Sequence, residues 1–170
     1  GQSCLISSSL VNRITGVLVE GSHIYPNAGR FASVIYRRQV TILITKASMI
    51  QDFMLDTEKQ RLIESYDLSS LRVASFSSEP INPKIHRFAM ELLTENFINS
   101  YISTESGTFI WTHFYGNSDY RLKSDGCAFI LPWVSAKIRI PSINKNKENR
   151  FRYRVAETAE WGELVLERPL

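Results

Sequence analysis

Strand-like and helix-like segments alternate through the middle of this chain, and this alternation limits the possible folds more than any other feature. Residues 40–45 (VTILIT) are β-branched and apolar throughout, as in a strand that is covered on both faces. Residues 47–55 place apolar side chains along one helical face, and residues 71–77 are strand-like again. Such an alternation requires crossover connections and predicts a parallel sheet flanked by helices.

The helix that follows Asn82 has the clearest sequence signature. Asn82 can accept a hydrogen bond from the first helical turn, and Pro83 suits that turn because no amide hydrogen is needed there. Apolar residues then recur with the helical period at positions 85, 88, 89, 92 and 93. Residues 97–102 (FINSYI) supply the strand that follows.

Other segments are assigned from the same patterns. Residues 4–12 predict a short helix, and residues 16–19 predict a short buried strand. A further helix is expected from Arg30 onward, with Phe31, Val34 and Ile35 on its apolar face. The charged stretch 56–61 (DTEKQR) is expected to be solvated surface.

The pattern changes after Thr108, where aromatic residues cluster and turns become frequent. Strand-like runs recur at 136–140, 151–155 and 163–167. We therefore predict an α/β subdomain over residues 1–110, followed by a smaller β-rich segment of the same large domain over residues 111–170.

Composition indicates an ordinary soluble globular protein. The chain has 170 residues, 44% of them hydrophobic and 22% charged. A net charge of +3 is too small to indicate a nucleic-acid partner. Cys4 and Cys127 have neither metal-ligand spacing nor the density of a disulfide framework, which favours a reducing compartment. No apolar run approaches the roughly 20 residues that cross a membrane, and no basic leader opens the chain, so a cytoplasmic protein is predicted.

Polar loops follow two successive strands of the predicted sheet. Ser77, Ser78, Glu79 and Pro80 follow one strand, and residues 99–107 (NSYISTESG) carry the next strand into a hydroxyl-rich turn. Because the carboxyl ends of parallel strands meet at one edge, the two loops predict a crevice that suits a nucleotide. The alternatives are an ordinary strand exit and, for Glu79, an acid that favours the positive end of the following helix dipole.

The three histidines do not predict a site. No Ser-His-Asp or Cys-His arrangement is indicated by their spacing. His86 follows Ile85 on a helix and is expected at the surface, His23 lies in a loop, and His113 is expected to pack among aromatic residues.

The basic run from Lys145 to Arg154 alternates charged and aromatic side chains. This pattern suits single-stranded nucleic acid, through stacking and phosphate contacts. It also suits an edge hairpin whose charged face is solvated, and the hairpin is favoured because the rest of the chain is not basic.

Three loops together resemble the acetyl-CoA synthetase branch of the AMP-forming adenylating enzymes: GSHIYPNAGRF, YDLSSLRVASFSSEPINP and NSYISTESG, in that order. The resemblance runs from Gly1 to about Ile110 and resumes at residues 162–166 (GELVL). It implies an acid–thiol ligase. Such an enzyme activates a short carboxylic acid with ATP and Mg²⁺, giving an acyl-adenylate and pyrophosphate, and then transfers the acyl group to coenzyme A with release of AMP.

The resemblance also assigns roles to individual residues. Ser78, Glu79 and Pro80 correspond to a Gly-Glu-Pro loop that lies against the adenosine. Thr104 corresponds to a threonine whose hydroxyl contacts the α-phosphate, and Glu105 to a glutamate that holds Mg²⁺, so both are the expected catalytic residues.

The preceding strand matches the family's Asp-Thr-Trp-Trp-Gln run. Asn99, Ser100, Tyr101 and Ser103 would therefore contact the nucleotide, with Tyr101 beside the adenine. Ile102 stands where a tryptophan closes the acyl pocket, which implies room for an acid longer than acetate.

Three departures from the family pattern support an alternative. Ser78 replaces a glycine, Asn99 replaces an acid, and Ser103 replaces a glutamine. A degenerate, non-catalytic nucleotide-binding or interaction module with the same fold would show such changes.

Other parts of the family's machinery are not in this sequence: a glycine-rich phosphate loop with its lysine, the ribose-binding aspartate with its arginine, and the C-terminal domain with its catalytic lysine. The chain also starts at Gly1 inside ordered sequence and stops directly after a strand-like run. We therefore expect an internal fragment of the large N-terminal domain, inactive alone, whose partners are the small-molecule substrates and the remainder of the parent chain.

Overall fold

The computed structural model describes residues 2–77, 79, 81–103, 105, 107, 109–113, 129–142 and 152–167. The chain forms two compact units, the first over Gly1–Phe129 and the second over Ile130–Leu170. The helices are α1 (Gln2–Val11), α2 (Gly29–Arg38), α3 (Ala47–Met54), α4 (Thr57–Glu64) and α5 (Pro83–Leu92). The strands are β1 (Ile42–Thr45), β2 (Val73–Ser77), β3 (Phe97–Ile102), β4 (Phe109–Thr112), β5 (Phe129–Ile130), β6 (Ala136–Ser142), β7 (Arg152–Val155) and β8 (Glu163–Leu166).

The larger sheet is mostly parallel, which confirms the predicted α/β class. Its strands follow the order β1-β2-β3-β4-β5. The pairs β1–β2 and β2–β3 are parallel, whereas β4 returns antiparallel to β3. The predicted helices over 4–12, from Arg30, and over 47–55 correspond to α1, α2 and α3.

The core of the first unit lies between this sheet and the helices that connect its strands. Phe53 of α3, Ile63 of α4, Phe76 of β2 and Phe97 of β3 are fully buried in one cluster. Burial of each such side chain stabilises the fold by about 1.5–3 kcal/mol. Since side chains alternate along a strand, Ser75 and Ile98 point away from this cluster.

Two of the helices have a side chain that caps the N-terminus. The Asn82 side chain accepts a hydrogen bond from the Lys84 amide at 2.9 Å, as the sequence predicted for α5. The Asp56 side chain accepts from the amides of Glu58 and Lys59 and begins α4. The expected solvated surface over residues 56–61 is confirmed, since none of these residues is buried, but the sequence pattern did not predict that a helix begins here. One buried residue, Ile63, anchors this mostly charged helix, which gives a weak apolar pattern.

Two further expectations about strands need correction. Residues 16–19 form no strand, and Leu18 is 75% exposed. No described strand pairs with this run, and four apolar residues cannot by themselves define a strand. The strand predicted over residues 40–45 does form, as β1. Ile42 is 54% exposed, because it begins the edge strand of the sheet. The prediction that both faces of this strand are covered is therefore only partly correct.

His86 was expected at the surface, and that prediction is wrong because the ring is only 2% exposed. Its Nε2 forms a hydrogen bond with the backbone carbonyl of Phe97, and its ring meets Phe76 edge-on at a centroid distance of 5.8 Å. The buried face of α5 thus runs through Ile85, His86 and Ala89. A histidine with a backbone partner can occupy a core position at low cost.

The second unit contains a three-stranded antiparallel sheet in the order β7-β6-β8. The hairpin predicted near the basic run is confirmed, since β6 pairs with β7 in antiparallel register. Within that run, Arg154 forms a bidentate contact with Glu160 at 2.6 and 2.7 Å. Lys145, Lys147 and Arg150 lie outside the described residues.

Candidate functional site

The carboxyl ends of β2 and β3 lie side by side. Ser77 is the register partner of Ser100, so the loops that leave both strands start at the same edge of the sheet. β1 is the other neighbour of β2, with Thr45 paired to Phe76, and its loop leaves at that edge as well. Three loops therefore meet where ligands bind in open α/β sheets.

Glu79 lies in the loop after β2, and its carboxylate binds to α3. Oε2 accepts a hydrogen bond from the Ser48 amide at 2.9 Å, and Oε1 accepts one from the Ser48 hydroxyl at 3.2 Å. Lys46, which precedes α3, provides no side-chain cap. Glu79 thus satisfies a donor at the N-terminus of α3, a different helix from the one that follows it in sequence.

Ser100 belongs to a row of hydroxyl groups that crosses three strands. Its Oγ lies 2.9 Å from Ser75 Oγ on β2 and 2.9 Å from Thr112 Oγ1 on β4. Ser75 Oγ in turn donates to the Phe76 carbonyl at 3.0 Å. The row is polar but well sheltered, with Ser75 9% and Ser100 6% exposed.

The proton count fixes the direction of this row. Each hydroxyl carries one proton, and three hydrogen bonds join the three groups and the carbonyl. All three bonds form only if Thr112 donates to Ser100, Ser100 donates to Ser75, and Ser75 donates to the carbonyl. In that arrangement the Ser100 side chain binds within the sheet.

The three other predicted site residues on β3 differ in exposure. Tyr101 is 45% exposed, and its ring centroid lies 5.2 Å from that of Trp111 at an interplanar angle of 53°. Asn99 and Ile102 are half-buried. Asn99 and Tyr101 share one face of the strand because they are two residues apart. A partly exposed ring supported by a second aromatic residue can stack on a flat ligand.

Glu105 is exposed just beyond the end of β3, and Ser103 contacts it. The Ser103 hydroxyl donates to Glu105 Oε2 at 2.9 Å, which orients the carboxylate. Carboxylate oxygens are hard ligands that suit Mg²⁺. Within the described part of the chain, no group of three or more His, Cys, Asp or Glu side chains could hold a metal ion. The magnesium role that the resemblance gives to Glu105 stays a prediction.

Three of the predicted site residues, Ser78, Pro80 and Thr104, lie outside the described residues. The roles that the sequence suggested for them stay predictions. The structure brings the loop containing Glu79 and the strand containing Ser100 to one sheet edge.

Sequence reasoning did not identify Ser48 or Thr112. Ser48 lies in the first turn of α3, at the carboxyl edge where the two other polar loops also begin. The same rule applied to the first strand could have identified it. Thr112 could not have been found in this way, because its position depends on the antiparallel return of β4.

The remaining histidines contact aromatic rings. The His23 ring meets Phe53 edge-on at 5.9 Å, and burial lowers the pKa of His23. Asp52 acts in the opposite direction and Lys59 in the same direction. His113 lies 5.7 Å from Phe129, as expected for a packing residue. Among the described residues, no helix combines the length and apolar character needed to cross a membrane.

Comparison with known proteins gives one family match. The family described as "AMP-binding enzyme" matches residues 1–169 of this chain. Two similar proteins are acetyl-coenzyme A synthetases. The one from Xanthomonas campestris pv. campestris (strain 8004) is 32% identical over 124 residues, covering 71% of this chain and 19% of that protein. The one from Methanothrix soehngenii is 31% identical over 144 residues, covering 81% of this chain and 20% of that protein.

A solved structure has the same fold. It is the crystal structure of the anthranilate CoA ligase AuaEII in complex with anthranoyl-AMP, with a TM-score of 0.65 and 18% sequence identity. The match covers 90% of this chain and 26% of that chain. The present chain thus spans about a fifth of the length of the curated relatives that it matches.

Proposed function

Because this chain belongs to the family of AMP-binding enzymes, we propose that it forms part of an AMP-forming acid–CoA ligase. It would form the part of the active site that binds the adenosine, the α-phosphate and the magnesium ion. The observation that carries the proposal is the parallel register of Ser77 with Ser100, because it brings two polar loops to one edge of the sheet.

The whole enzyme would catalyse two half-reactions. A carboxylate oxygen of a short acid attacks the α-phosphorus of ATP, the bond to the β-phosphate oxygen breaks, and pyrophosphate leaves. The thiol of coenzyme A then attacks the acyl carbon of the acyl-adenylate. AMP leaves with the bonding electron pair, and the thiol proton is released. A site for these steps must stabilise negative charge on phosphate oxygens.

The residues at the sheet edge would divide this work. Tyr101, whose ring is partly exposed beside Trp111, would stack on the adenine. Asn99 would contact the nucleotide from the same face of β3, and Ser100 would hold the strand through its hydroxyl row. These contacts bind and orient the nucleotide before the acid attacks.

Two residues would act on the phosphate. The Thr104 hydroxyl would donate to an α-phosphate oxygen, and Glu105 would hold the magnesium ion with its carboxylate. When bound, the ion neutralises phosphate charge. Ser103 would keep the Glu105 carboxylate in position through the 2.9 Å hydrogen bond.

Ile102 would line the acyl pocket. It is half-buried at the end of β3, next to the residues assigned to the nucleotide. An isoleucine fills less space than the tryptophan that stands there in the resembling branch. We therefore propose a short carboxylic acid somewhat longer than acetate as the substrate.

The rest of the parent chain would complete the site. The chain spans about a fifth of its curated relatives, so contacts to the pyrophosphate, the ribose and coenzyme A are assigned to the remaining sequence. The isolated 170 residues are expected to be inactive. A cytoplasmic location is supported by the low cysteine content.

The test is the exchange of labelled pyrophosphate into ATP by purified full-length protein. The proposal expects exchange that requires a carboxylic acid and magnesium. Absence of exchange with every short acid from acetate to hexanoate would contradict it.

A second candidate is a non-catalytic nucleotide-binding module with the same fold. Three departures from the family pattern favour it: Ser78 in place of a glycine, Asn99 in place of an acid and Ser103 in place of a glutamine. Titration calorimetry with AMP, together with the exchange assay, separates the candidates. AMP binding without exchange would favour the module.

A further inference from the structure

Glu79 connects two loops at the carboxyl edge of the sheet. It lies after β2, whereas its partner Ser48 lies in the first turn of α3, after β1. We propose that Glu79 is a positioning residue. Its carboxylate fixes Glu79 against α3, so that Glu79 affects nucleotide binding through this link and not by direct contact with the adenosine. This inference rests on the proposed function.

Both oxygens of the carboxylate are engaged by the same residue. Oε2 accepts from the Ser48 amide at 2.9 Å, and Oε1 accepts from the Ser48 hydroxyl at 3.2 Å. A two-point contact fixes orientation as well as distance, because rotation of the carboxylate would break one of the two bonds. The Glu79 side chain is consequently directed at the protein.

The N-terminus of α3 favours a carboxylate at this place. The first amides of a helix have no partner within the helix, and the helix dipole places partial positive charge there. Lys46 provides no side-chain cap, so the amide of Ser48 would otherwise depend on solvent. Glu79 thus stabilises α3 and tethers its own loop through the same pair of bonds.

The tether links neighbouring strands. β1 and β2 are paired in parallel along their length, with Thr45 beside Phe76. The chain therefore leaves both strands from adjacent positions, and the bonds between Glu79 and Ser48 restrict Glu79 two residues after the end of β2. A nucleotide that binds at this edge would meet Glu79 in a position that is already fixed, which lowers the entropy cost of binding.

This account predicts that Ser48 influences nucleotide affinity without touching the nucleotide. The experiment is titration calorimetry of AMP against four forms of the full-length protein: wild type, Glu79→Ala, Ser48→Ala and the double variant. We expect Glu79→Ala to weaken binding about tenfold, which corresponds to about 1.4 kcal/mol. Ser48→Ala should weaken it about threefold, because the amide contact remains.

The double variant decides the mechanism. If Glu79 acts through Ser48, the two substitutions remove one shared link, and the double variant should bind AMP no more weakly than Glu79→Ala alone. Glu79→Gln should recover part of the affinity, since the amide side chain keeps one acceptor. Normal affinity in Ser48→Ala together with a large loss in Glu79→Ala would overturn the proposal, because Glu79 would then contact the nucleotide directly.

Asp56→Ala is the matched control. Asp56 caps α4 by accepting from the amides of Glu58 and Lys59, in the same way that Glu79 accepts at α3. Its removal should lower stability to a similar degree and leave AMP affinity unchanged. Equal loss of affinity in this control would mean that any weakened helix reduces binding, which overturns a specific role for Glu79. If the wild type binds no AMP, both this inference and the proposed function are overturned. If the wild type binds AMP but the variants behave differently from this account, only the inference is overturned.

Discussion

The hydroxyl oxygens of Ser75 and Ser100 lie 2.9 Å apart across two parallel strands, in a nearly solvent-free part of the sheet. Ser100→Ala removes the central group of the hydroxyl row and leaves Thr112 without its acceptor and Ser75 without its donor. We expect the free energy of unfolding to fall by about 1–3 kcal/mol, the cost of unsatisfied buried polar groups. Denaturant unfolding followed by circular dichroism measures this change.

Ser7→Ala is the control for that variant. Ser7 is exposed on α1, and its replacement should change the unfolding free energy by no more than about 0.5 kcal/mol. An equal decrease in the unfolding free energy for both substitutions would contradict a stabilising role of the buried hydroxyl row.

Glu105→Gln tests the residue assigned to magnesium. The amide keeps the size of the side chain but loses the charge, so exchange activity of the full-length enzyme should fall on the order of 100-fold. Folding should be nearly unchanged, because Glu105 is exposed. The exposed acid Glu95 supplies a control, since Glu95→Gln should leave the exchange rate as it is. Loss of folding in Glu105→Gln without a kinetic defect would make the residue structural.

Much of the fold was predictable because local signals and tertiary packing agree. The cap at Asn82 and the strand 97–102 were both found where the sequence placed them. The parallel order of β1, β2 and β3 followed from the alternation of elements.

The errors arose where tertiary contacts decide the outcome. The helix α4 was not predicted, because one buried isoleucine and the Asp56 cap give its charged sequence only a weak helical pattern. His86 is buried because the Phe97 carbonyl accepts a hydrogen bond from its ring inside the core, which no local pattern reveals. Residues 16–19 are apolar but have no described strand beside them.

The candidate site was predictable only in part. The rule that strand ends meet at one edge located the loops of Glu79 and Glu105. It did not give the partner of Glu79, because Ser48 is 31 residues away in sequence and meets it only in the folded chain.

Ile102→Trp tests the acyl pocket. The larger ring should shorten the pocket, so the ratio of kcat/KM for acetate to that for hexanoate should rise at least about tenfold, within the range that pocket size provides. Competition between the two acids in the full-length enzyme measures this ratio. An unchanged acid profile would mean that Ile102 does not line the pocket.

Glu167 should contribute to the free energy of unfolding of the second unit in a way that depends on pH in the acid range. Its carboxylate accepts from Lys137 Nζ at 2.9 Å and from Arg139 Nη2 at 3.1 Å. The hydrogen bond from Lys137, followed by that from Arg139, lowers the pKa of Glu167 from 4.5 to about 2. Because the folded pKa is the lower one, the contribution is complete above pH 4.5 and is lost as the pH falls toward 2.

Glu167→Gln should therefore flatten the pH dependence of unfolding in this acid range. The free energy of unfolding is measured at several pH values for wild type and variant, and their difference should vanish toward the acid end. Lys137→Met should give a smaller effect, because Arg139 still binds Glu167. A constant difference between wild type and Glu167→Gln at all pH values would contradict the pKa assignment.

The most direct measurement of the central claim is acid-dependent exchange of labelled pyrophosphate into ATP by the full-length protein. The proposed ligase predicts exchange that requires both magnesium and a short carboxylic acid, and that is strongly reduced by Glu105→Gln. Full-length protein that binds AMP in calorimetry, yet shows no exchange with any acid, would contradict the claim that this sheet edge forms part of a working adenylation site.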